Sequence, residues 1–139
     1  MASKVTAAEV NAFYAQQFEG RSGQDQIVEV RENYARLRHD VTQQHLRPGN
    51  YISGPTQMAL ADSAAYVAIF TRTGIVPMAV TSNLNINFLR PCIGTAVVGE
   101  ARLMKLGKAL AVIEVEIRAE GSDKMSSHAI VTYALPREA

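Results

Sequence analysis

The chain has 139 residues, of which 47% are hydrophobic and 19% charged, and its formal net charge is +1. This size and composition predict one soluble globular domain and exclude a disordered or fibrous chain. The balanced charge offers no bulk electrostatic field to nucleic acid or to an anionic membrane. A single cysteine, Cys92, excludes an internal disulfide and a cysteine-based zinc cluster, and it suits a reducing compartment.

Targeting and membrane segments are not expected. Lys4 and Glu9 interrupt any apolar run in the first ten residues, so no signal peptide is predicted. No stretch approaches the ~18 apolar residues of a membrane span. The expected location is the cytoplasm.

The N-terminal segment is predicted to be a helix followed by a connector. The helix covers Thr6–Gln17, because its first residue can cap it and Glu9 stands three residues later, as in a capping box. The glycines of Gly20–Gly23 break it. We therefore expect residues 1–25 to form this helix and connector, and residues 26–139 to form the main body of a single domain.

A long buried helix is the central predicted element. Strands are predicted at Gln26–Val30 and Tyr34–Val41, and a polar loop then leads to the helix start. Pro55 suits the first helical position, where its missing N–H costs nothing. The helix runs to about Thr73, with Gly74 as its C-cap. Because it is apolar nearly all round, we expect it to be enclosed by the rest of the domain.

The remainder of the chain predicts antiparallel strands with two-residue periodicity. The predicted strands are Val80–Arg90, Thr95–Leu106, Leu110–Arg118 and Ser126–Leu135. Tight glycine-containing connections join the last three strands into a meander. One long helix wrapped by a curved antiparallel sheet accounts for the whole pattern, which predicts an α+β fold.

Two features of the central helix suggest a site for acyl chemistry. Asp62 lies about two turns into the helix, with no Lys or Arg within a turn. It is either hydrogen-bonded or shifted in pKa, as catalytic acids and bases are, or it lies on the one exposed edge of the helix. The N–H of Gly54, at the helix start, could bind a ligand oxygen. Considered without Asp62, Gly54 could equally belong to a plain Gly-Pro turn.

The strand after the helix is unusually rich in asparagine, which strands disfavour. Strict alternation predicts that Thr81 and Asn83 share a face with Asn85 and Asn87. The apolar set that alternates with them, which should meet the helix, is Val80, Leu84, Ile86 and Phe88. A ligand could reach Thr81 and Asn83, whereas the other two asparagines suit an exposed or subunit-facing surface.

The remaining candidates carry weaker signals. Arg90 and Lys108 flank strand ends, where each could hold a phosphate or simply be solvated. Cys92 has no nearby histidine and is interpreted as a small buried apolar residue. The histidines lack metal-ligand spacing and are interpreted as surface or loop residues. They are His39, His45 and His128.

The segment from Gly54 to Pro91 resembles the hotdog-fold acyl-CoA thioesterases, in the branch related to the phenylacetic-acid-degradation (PaaI-like) thioesterase. It is similar to that family's glycine, helix and Leu-Ala-Asp, followed by Val-Thr-x-x-Leu-x-Ile-x-Phe-Leu-Arg-Pro. The Gly99–Ala101 strand, the Lys105–Lys108 hairpin and the Glu114–Glu116 strand extend the similarity over roughly residues 27 to 135. The resemblance implies a hotdog fold and thioester hydrolysis.

The resemblance also implies roles for individual residues. Asp62 corresponds to the carboxylate that attacks the thioester or activates water. Gly54 corresponds to the glycine whose N–H polarises the thioester carbonyl, and Thr81 to a hydroxyl residue that helps position water. Arg90 and Lys108 would lie near the nucleotide end of coenzyme A.

The start of the helix departs from the family pattern. The family usually has His-Gly-Gly where this chain has Ser53-Gly54-Pro55. An asparagine that often assists falls at Arg47, with Asn50 as a possible substitute. The expected substrate-binding set also includes Ser53 itself, Tyr66, in the acyl pocket, and Asn83.

The family works as dimers with sites at the subunit interface, often paired into tetramers, so we expect a homodimer or homotetramer. No cofactor and no metal are expected, because coenzyme A is part of the substrate. Two alternatives stay open: a non-catalytic protein that binds acyl-CoA, and a hotdog hydratase or dehydratase. The second would normally need an Asp/His pair, and no histidine follows Asp62 at short range.

Overall fold

The structure is a computed structural model that describes residues 2–17 and 25–137. The predicted Gly20–Gly23 connector lies outside the described residues. The helices are α1, Ala7–Gln17, and α2, Gly54–Thr73. The strands are β1, Asp25–Arg31; β2, Tyr34–Asp40; β3, Leu46–Arg47; β4, Tyr51–Ile52; β5, Val80–Phe88; β6, Ala96–Leu106; β7, Leu110–Ala119; and β8, Ser127–Ala134.

A six-stranded antiparallel sheet wraps the long helix. Its strand order is β1-β2-β6-β7-β8-β5, and β3 and β4 form a separate two-stranded sheet. Helix α2 packs against β2, β6 and β7 in the middle of the large sheet. The predicted α+β hotdog architecture is therefore confirmed. Within the described ranges, no helix is long and apolar enough to cross a membrane.

Local signals define both helices as predicted. In α1, Thr6 Oγ1 accepts from the Glu9 N–H while the Glu9 carboxylate accepts from the Thr6 N–H, which completes the capping box. In α2, the Ser53 side chain caps the first turn. Gly74 ends the helix at φ 78°, a conformation that other residues seldom adopt.

Burial of α2 forms the centre of the core. Every residue from Ala64 to Thr71 is buried, and Ile69 and Phe70 are fully so. Burying a side chain of that size contributes about 1.5–3 kcal/mol. Gly99 on β6 allows the close approach of helix and sheet, since a Cβ there would lie 3.2 Å from Leu60 Cγ and 3.1 Å from Ile117 Cδ1.

A β-bulge at Ser82 changes the two faces of β5. Thr81 pairs with Tyr133, whereas the next paired residue, Asn83, faces Thr132. The extra residue reverses the alternation, because a strand's side chains change face at every residue. Thr81 therefore shares the inner face with Leu84. The predicted common face of Thr81 and Asn83 is wrong.

The predicted polar loop before α2 is more ordered than expected. It contains a 3₁₀ helix, Gln43–His45, and the short strands β3 and β4. The turn between those strands holds Asn50 at φ 60°. The backbone of this segment reaches α2, because the Ser53 N–H donates to the His45 carbonyl at 2.9 Å.

Candidate active site

A cavity of about 710 Å³ opens along one side of α2. It is bounded by α1, β1, β2, α2, the loop that follows α2, β5 and β8. The polar side chains that line it are Tyr14, Asp25, His39, His45, Thr56, Asp62, Ser63, Tyr66, Thr81 and Tyr133. Three of the predicted site residues, Asp62, Tyr66 and Thr81, thus meet in one cavity.

The carboxylate of Asp62 is held by hydrogen bonds to one oxygen. Thr81 Oγ1 donates to Asp62 Oδ1 at 2.6 Å, and the hydroxyl of Tyr133 lies 3.0 Å from the same atom. Among the described residues, no hydrogen bond reaches Oδ2. Asp62 is half-buried in the cavity wall, so its second oxygen is available to a ligand or a water.

Tyr133 is a fixed donor to this carboxylate. Its side chain is buried, and its hydroxyl also lies 3.0 Å from the Asp62 carbonyl oxygen. Burial raises the pKa of Tyr133, and the nearby charge of Asp62 adds to the increase. The phenol therefore keeps its proton at neutral pH, and it restricts the carboxylate to one orientation.

Helix α1 contributes Tyr14 to the cavity. The hydroxyl of Tyr14 lies 2.5 Å from Ser63 Oγ, one residue beyond Asp62 on α2. Burial raises the pKa of Tyr14. This contact joins the N-terminal helix to the catalytic candidate, which the sequence did not suggest.

Gly54 lies in a different depression, a groove of about 490 Å³ at the start of α2. Its backbone N–H is left without a hydrogen bond by the other described residues, whereas the Thr56 N–H donates to Ser53 Oγ and the Gln57 N–H to the Ser53 carbonyl. Pro55 has no N–H to donate. Gly54 thus offers the free donor of the first turn, and the partial positive charge of a helix N-terminus favours an oxyanion there.

Within one chain, Gly54 and Asp62 cannot both contact the same thioester carbonyl. The two residues are eight positions apart on one helix, which corresponds to about 12 Å along its axis. Gly54 lines the groove and Asp62 lines the cavity. A thioester carbonyl that contacts the Gly54 N–H is therefore out of reach of Asp62 in the same chain.

The remaining predicted substrate residues are dispersed. Arg90 lines the groove together with Gly54, and Arg47 adds a second guanidinium there. The hydroxyl of Tyr66 donates to the Pro77 carbonyl at 2.9 Å, so its ring is what it offers to the cavity.

Four other predicted residues lie away from the reacting groups or are already engaged. Ser53 Oγ accepts from the Thr56 N–H as the helix cap. Lys108 is exposed at the β6–β7 turn, and Asn50 is exposed in the β3–β4 turn; both lie outside the two pockets. Asn83 is directed away from Asp62 by the bulge.

The interpretation of the histidines as surface or loop residues needs correction for His39, which lies on β2, whereas His45 does lie in the predicted loop. His39 and His45 are partly buried, line the cavity and contact each other, with their Nε2 atoms 3.2 Å apart. His39 also pairs with Asp25 across the β1–β2 ladder. Only His128 remains on the outer side of the sheet, where it pairs with Glu114. Among the described residues, no group of three metal-binding side chains is positioned to hold a metal ion.

Comparison with known proteins gives a consistent result. Residues 49–126 match the model of the thioesterase superfamily. A "putative thioesterase" of Silicibacter sp. has a similar structure, with a TM-score of 0.88 and 31% identity over 96% of this chain and 94% of that one. The PaaI protein of the Escherichia coli phenylacetic acid degradation operon shares the fold, with a TM-score of 0.79 and 23% identity over 93% and 91% of the two chains. A "putative esterase" of Thermoplasma volcanium is 33% identical over 66% of this chain and 68% of its own length.

Proposed function

Because the chain belongs to the thioesterase superfamily and is a hydrolase, we propose that it hydrolyses an acyl- or aryl-acyl-CoA thioester to the free acid and coenzyme A. The observation that carries this proposal is the Asp62 carboxylate. Thr81 and Tyr133 hold one of its oxygens, and the other makes no hydrogen bond to a described residue, in a cavity large enough for an acyl group.

The proposed reaction combines two groups from two copies of the chain. The Gly54 N–H of one copy binds the thioester oxygen, and Asp62 of the other copy acts on the carbonyl carbon. This division follows from the separation of about 12 Å between the two residues on one helix. It accords with the Gly54 N–H and with Asp62 Oδ2, which make no hydrogen bonds to the described residues.

Asp62 serves either as general base or as nucleophile. As a base it takes a proton from water, the hydroxide adds to the carbonyl carbon, and the C–S bond breaks to release the coenzyme A thiolate. As a nucleophile it forms a mixed anhydride that water then hydrolyses. In both routes the Gly54 N–H stabilises the negative oxygen of the tetrahedral intermediate, a contribution that is typically worth about 10²–10³ in rate.

The edge of the large sheet supports self-association. Strand β5 is an edge strand with most of its residues exposed, and unpaired strand edges are ready to pair with another chain. Large apolar side chains along and beside it are also exposed: Met78, Val80, Phe88 and Leu89. We propose that a second copy covers this edge and completes the site.

The groove beside Gly54 is suited to the nucleotide part of the substrate. Arg47 and Arg90 both line it, and guanidinium groups bind phosphates in a bidentate manner. We therefore assign the diphosphate of coenzyme A to this groove. Lys108, predicted for the same role, lies outside it.

A thiol-release assay over acyl-CoAs of increasing chain length and aryl-acyl-CoAs tests the proposal. Free thiol should appear with the wild-type protein, and Asp62→Asn should abolish its release while the far-UV circular dichroism spectrum is unchanged. Wild-type turnover in the Asp62→Asn variant would contradict the role of Asp62. Saturable binding without thiol release would instead indicate an acyl-CoA-binding protein.

A hydratase or dehydratase is the second candidate, because the fold places two histidines in the cavity that holds Asp62. Such an enzyme would change the α,β bond of an enoyl- or hydroxyacyl-CoA without releasing thiol. Ultraviolet absorbance of the enoyl thioester, followed in the same reactions, distinguishes the two activities.

A further inference from the structure

A hydrogen-bonded chain of Asp25, His39 and His45 forms part of the wall of the Asp62 cavity. His39 Nδ1 lies 2.6 Å from Asp25 Oδ1, and His39 Nε2 lies 3.2 Å from His45 Nε2. The backbone N–H of Thr42 donates to His45 Nδ1 at 2.8 Å. The proposed hydrolysis assigns no role to these three side chains.

The Thr42 N–H fixes the positions of the protons in this chain. A backbone N–H can only donate, so His45 Nδ1 is an acceptor and the proton of the neutral ring is on Nε2. That proton is donated to His39 Nε2, which leaves the proton of His39 on Nδ1, where it is donated to Asp25. Burial and the neighbouring His39 lower the pKa of His45, in agreement with a neutral ring.

This arrangement leaves the histidines no atom with which to bind a ligand. Each of the four ring nitrogens already has a partner, and a His45 ring with its proton on Nε2 cannot coordinate a metal through that atom. Asp25 differs, because His39 occupies Oδ1 and the described residues make no hydrogen bond to Oδ2. The Asp25 side chain is 24% exposed and that of His39 is 13% exposed. Within the part of the chain that the structure describes, Asp25 Oδ2 is therefore the polar atom of the cluster without a hydrogen-bond partner.

The second carboxylate makes the cavity an acidic environment. Asp25 and Asp62 both line it, and no lysine or arginine occurs among its described lining residues. Tyr14 lines the same cavity, and the charges of Asp25 and Asp62 both add to the increase that burial causes in its pKa. A carboxylate at the end of an acyl group would meet like charge here, whereas a donor group would meet an acceptor.

We propose that Asp25, oriented by His39 and His45, binds the far end of the acyl group and selects acyl groups that end in a hydrogen-bond donor, above all a protonated amine. An acyl group that ends in a carboxylate is rejected. This inference rests on the proposed thioesterase function and adds the substrate class to it. Asp25 contacts the substrate, and the histidines act only as positioning residues.

Three CoA thioesters of matched length test the selection: hexanoyl-CoA, 6-aminohexanoyl-CoA and adipoyl-CoA. In the wild-type protein, kcat/KM should be highest for 6-aminohexanoyl-CoA and lowest for adipoyl-CoA. Asp25→Asn should reduce the preference for 6-aminohexanoyl-CoA over hexanoyl-CoA by on the order of 10- to 100-fold, as expected for a hydrogen bond to a charged group. The readout is the ratio of the two kcat/KM values, because an effect of the substitution that is common to both substrates cancels in it.

The matched control is His128→Gln. It removes a histidine that pairs with Glu114 on the outer side of the sheet, and it should leave the selectivity unchanged. Equal loss on all three substrates in Asp25→Asn would contradict the proposal, because a structural role predicts that result. The order of the kcat/KM values in the wild-type protein also tests the proposal. A value for adipoyl-CoA that equals or exceeds the value for 6-aminohexanoyl-CoA would overturn it.

Failure of hydrolysis and failure of selection give different results. If the wild-type protein releases no thiol from these three thioesters or from the acyl- and aryl-acyl-CoA series above, the proposed thioesterase activity is contradicted. Equilibrium binding of the same three thioesters then tests the role of Asp25. The affinity should be highest for 6-aminohexanoyl-CoA and lowest for adipoyl-CoA. Tighter or equal binding of adipoyl-CoA would refute that role.

Discussion

The hydroxyl of Thr81 donates to Asp62 Oδ1 at 2.6 Å, across a gap of nineteen residues in the chain. The bulge at Ser82 makes this contact compatible with the rest of β5, because it places Thr81 on the same face as Leu84. Without the extra residue, Thr81 would face away from the helix whenever Leu84 faced it. The candidate catalytic geometry therefore depends on one irregularity in an edge strand.

Removing the Thr81 hydroxyl should weaken catalysis without unfolding the protein. Thr81→Val should lower kcat by on the order of 10- to 100-fold, because a hydrogen bond to a charged group is lost. Thr81→Ser should retain most activity, since it keeps the hydroxyl. Ser82→Ala is the control: the adjacent hydroxyl makes no hydrogen bond within the described residues. Steady-state kinetics measure all three, and an unchanged kcat in Thr81→Val would exclude this contact from catalysis.

Two substitutions at Gly54 distinguish the effect of losing the backbone N–H from the effect of adding side-chain bulk beside it. Gly54→Ala keeps the N–H and adds a Cβ about 3.2 Å from Phe88 Cζ, so a modest loss of activity is expected. Gly54→Pro adds a similar bulk and removes the N–H, at a helix position that tolerates proline. If this N–H is the oxyanion donor, kcat should be lower than in Gly54→Ala by on the order of 10²–10³.

Comparable activities of the two Gly54 variants would show that another group stabilises the oxyanion. Thermal unfolding provides the necessary check on both proteins. Ser53, the residue before Gly54, has φ −66° and ψ 155°, which a following proline accepts. We therefore expect both variants to fold.

Mixed dimers test whether one site uses two chains. Gly54→Pro and Asp62→Asn should each be inactive alone, but a heterodimer holds one site with both groups intact. The mixed dimer should then show about half of wild-type activity, because one of its two sites is complete. Differently tagged chains, co-expressed and purified over both tags, allow the measurement. No recovery in the mixed dimer would place Gly54 and Asp62 of the same chain in one site, or remove one of them from it.

Alkaline pH should destabilise the fold partly through Tyr34. Burial and a 2.6 Å hydrogen bond to Glu100 raise the pKa of Tyr34 from 10.0 to about 12. The unfolded chain releases this proton first, so the contribution is complete below pH 10 and is lost as the pH rises to 12. Tyr34→Phe should reduce the slope of the free energy of unfolding against pH in that range, as measured by urea denaturation. Tyr51→Phe, whose hydroxyl makes no hydrogen bond within the described residues, is the control.

The sequence predicted the secondary structure well because the relevant signals are local. Thr6 and Glu9 cap α1, Ser53 and Pro55 begin α2, and Gly74 ends it, each through contacts within a few residues. The apolar character of α2, nearly all round the helix, also predicted its burial. The resemblance to thioesterases came from the same segment, and the family match confirms it.

Contacts between distant segments could not be predicted from the sequence. His39 and His45 are six residues apart, yet their meeting, with Asp25 beside them, requires both the β1–β2 register and the 3₁₀ turn. Tyr133 lies on a strand that the sequence predicted, but its contact with Asp62 follows from the pairing of β5 with β8. Neither register can be obtained from periodicity alone.

The sequence by itself determined the helix that carries Gly54 and Asp62, their spacing on it and the identity of the acidic group. The tertiary structure decided that these two residues open into different pockets, that Thr81 faces Asp62 and that Asp25 shares its cavity. The physical reason is that capping and helical burial depend on neighbours along the chain. The faces of paired strands depend instead on register, which a single inserted residue such as Ser82 reverses.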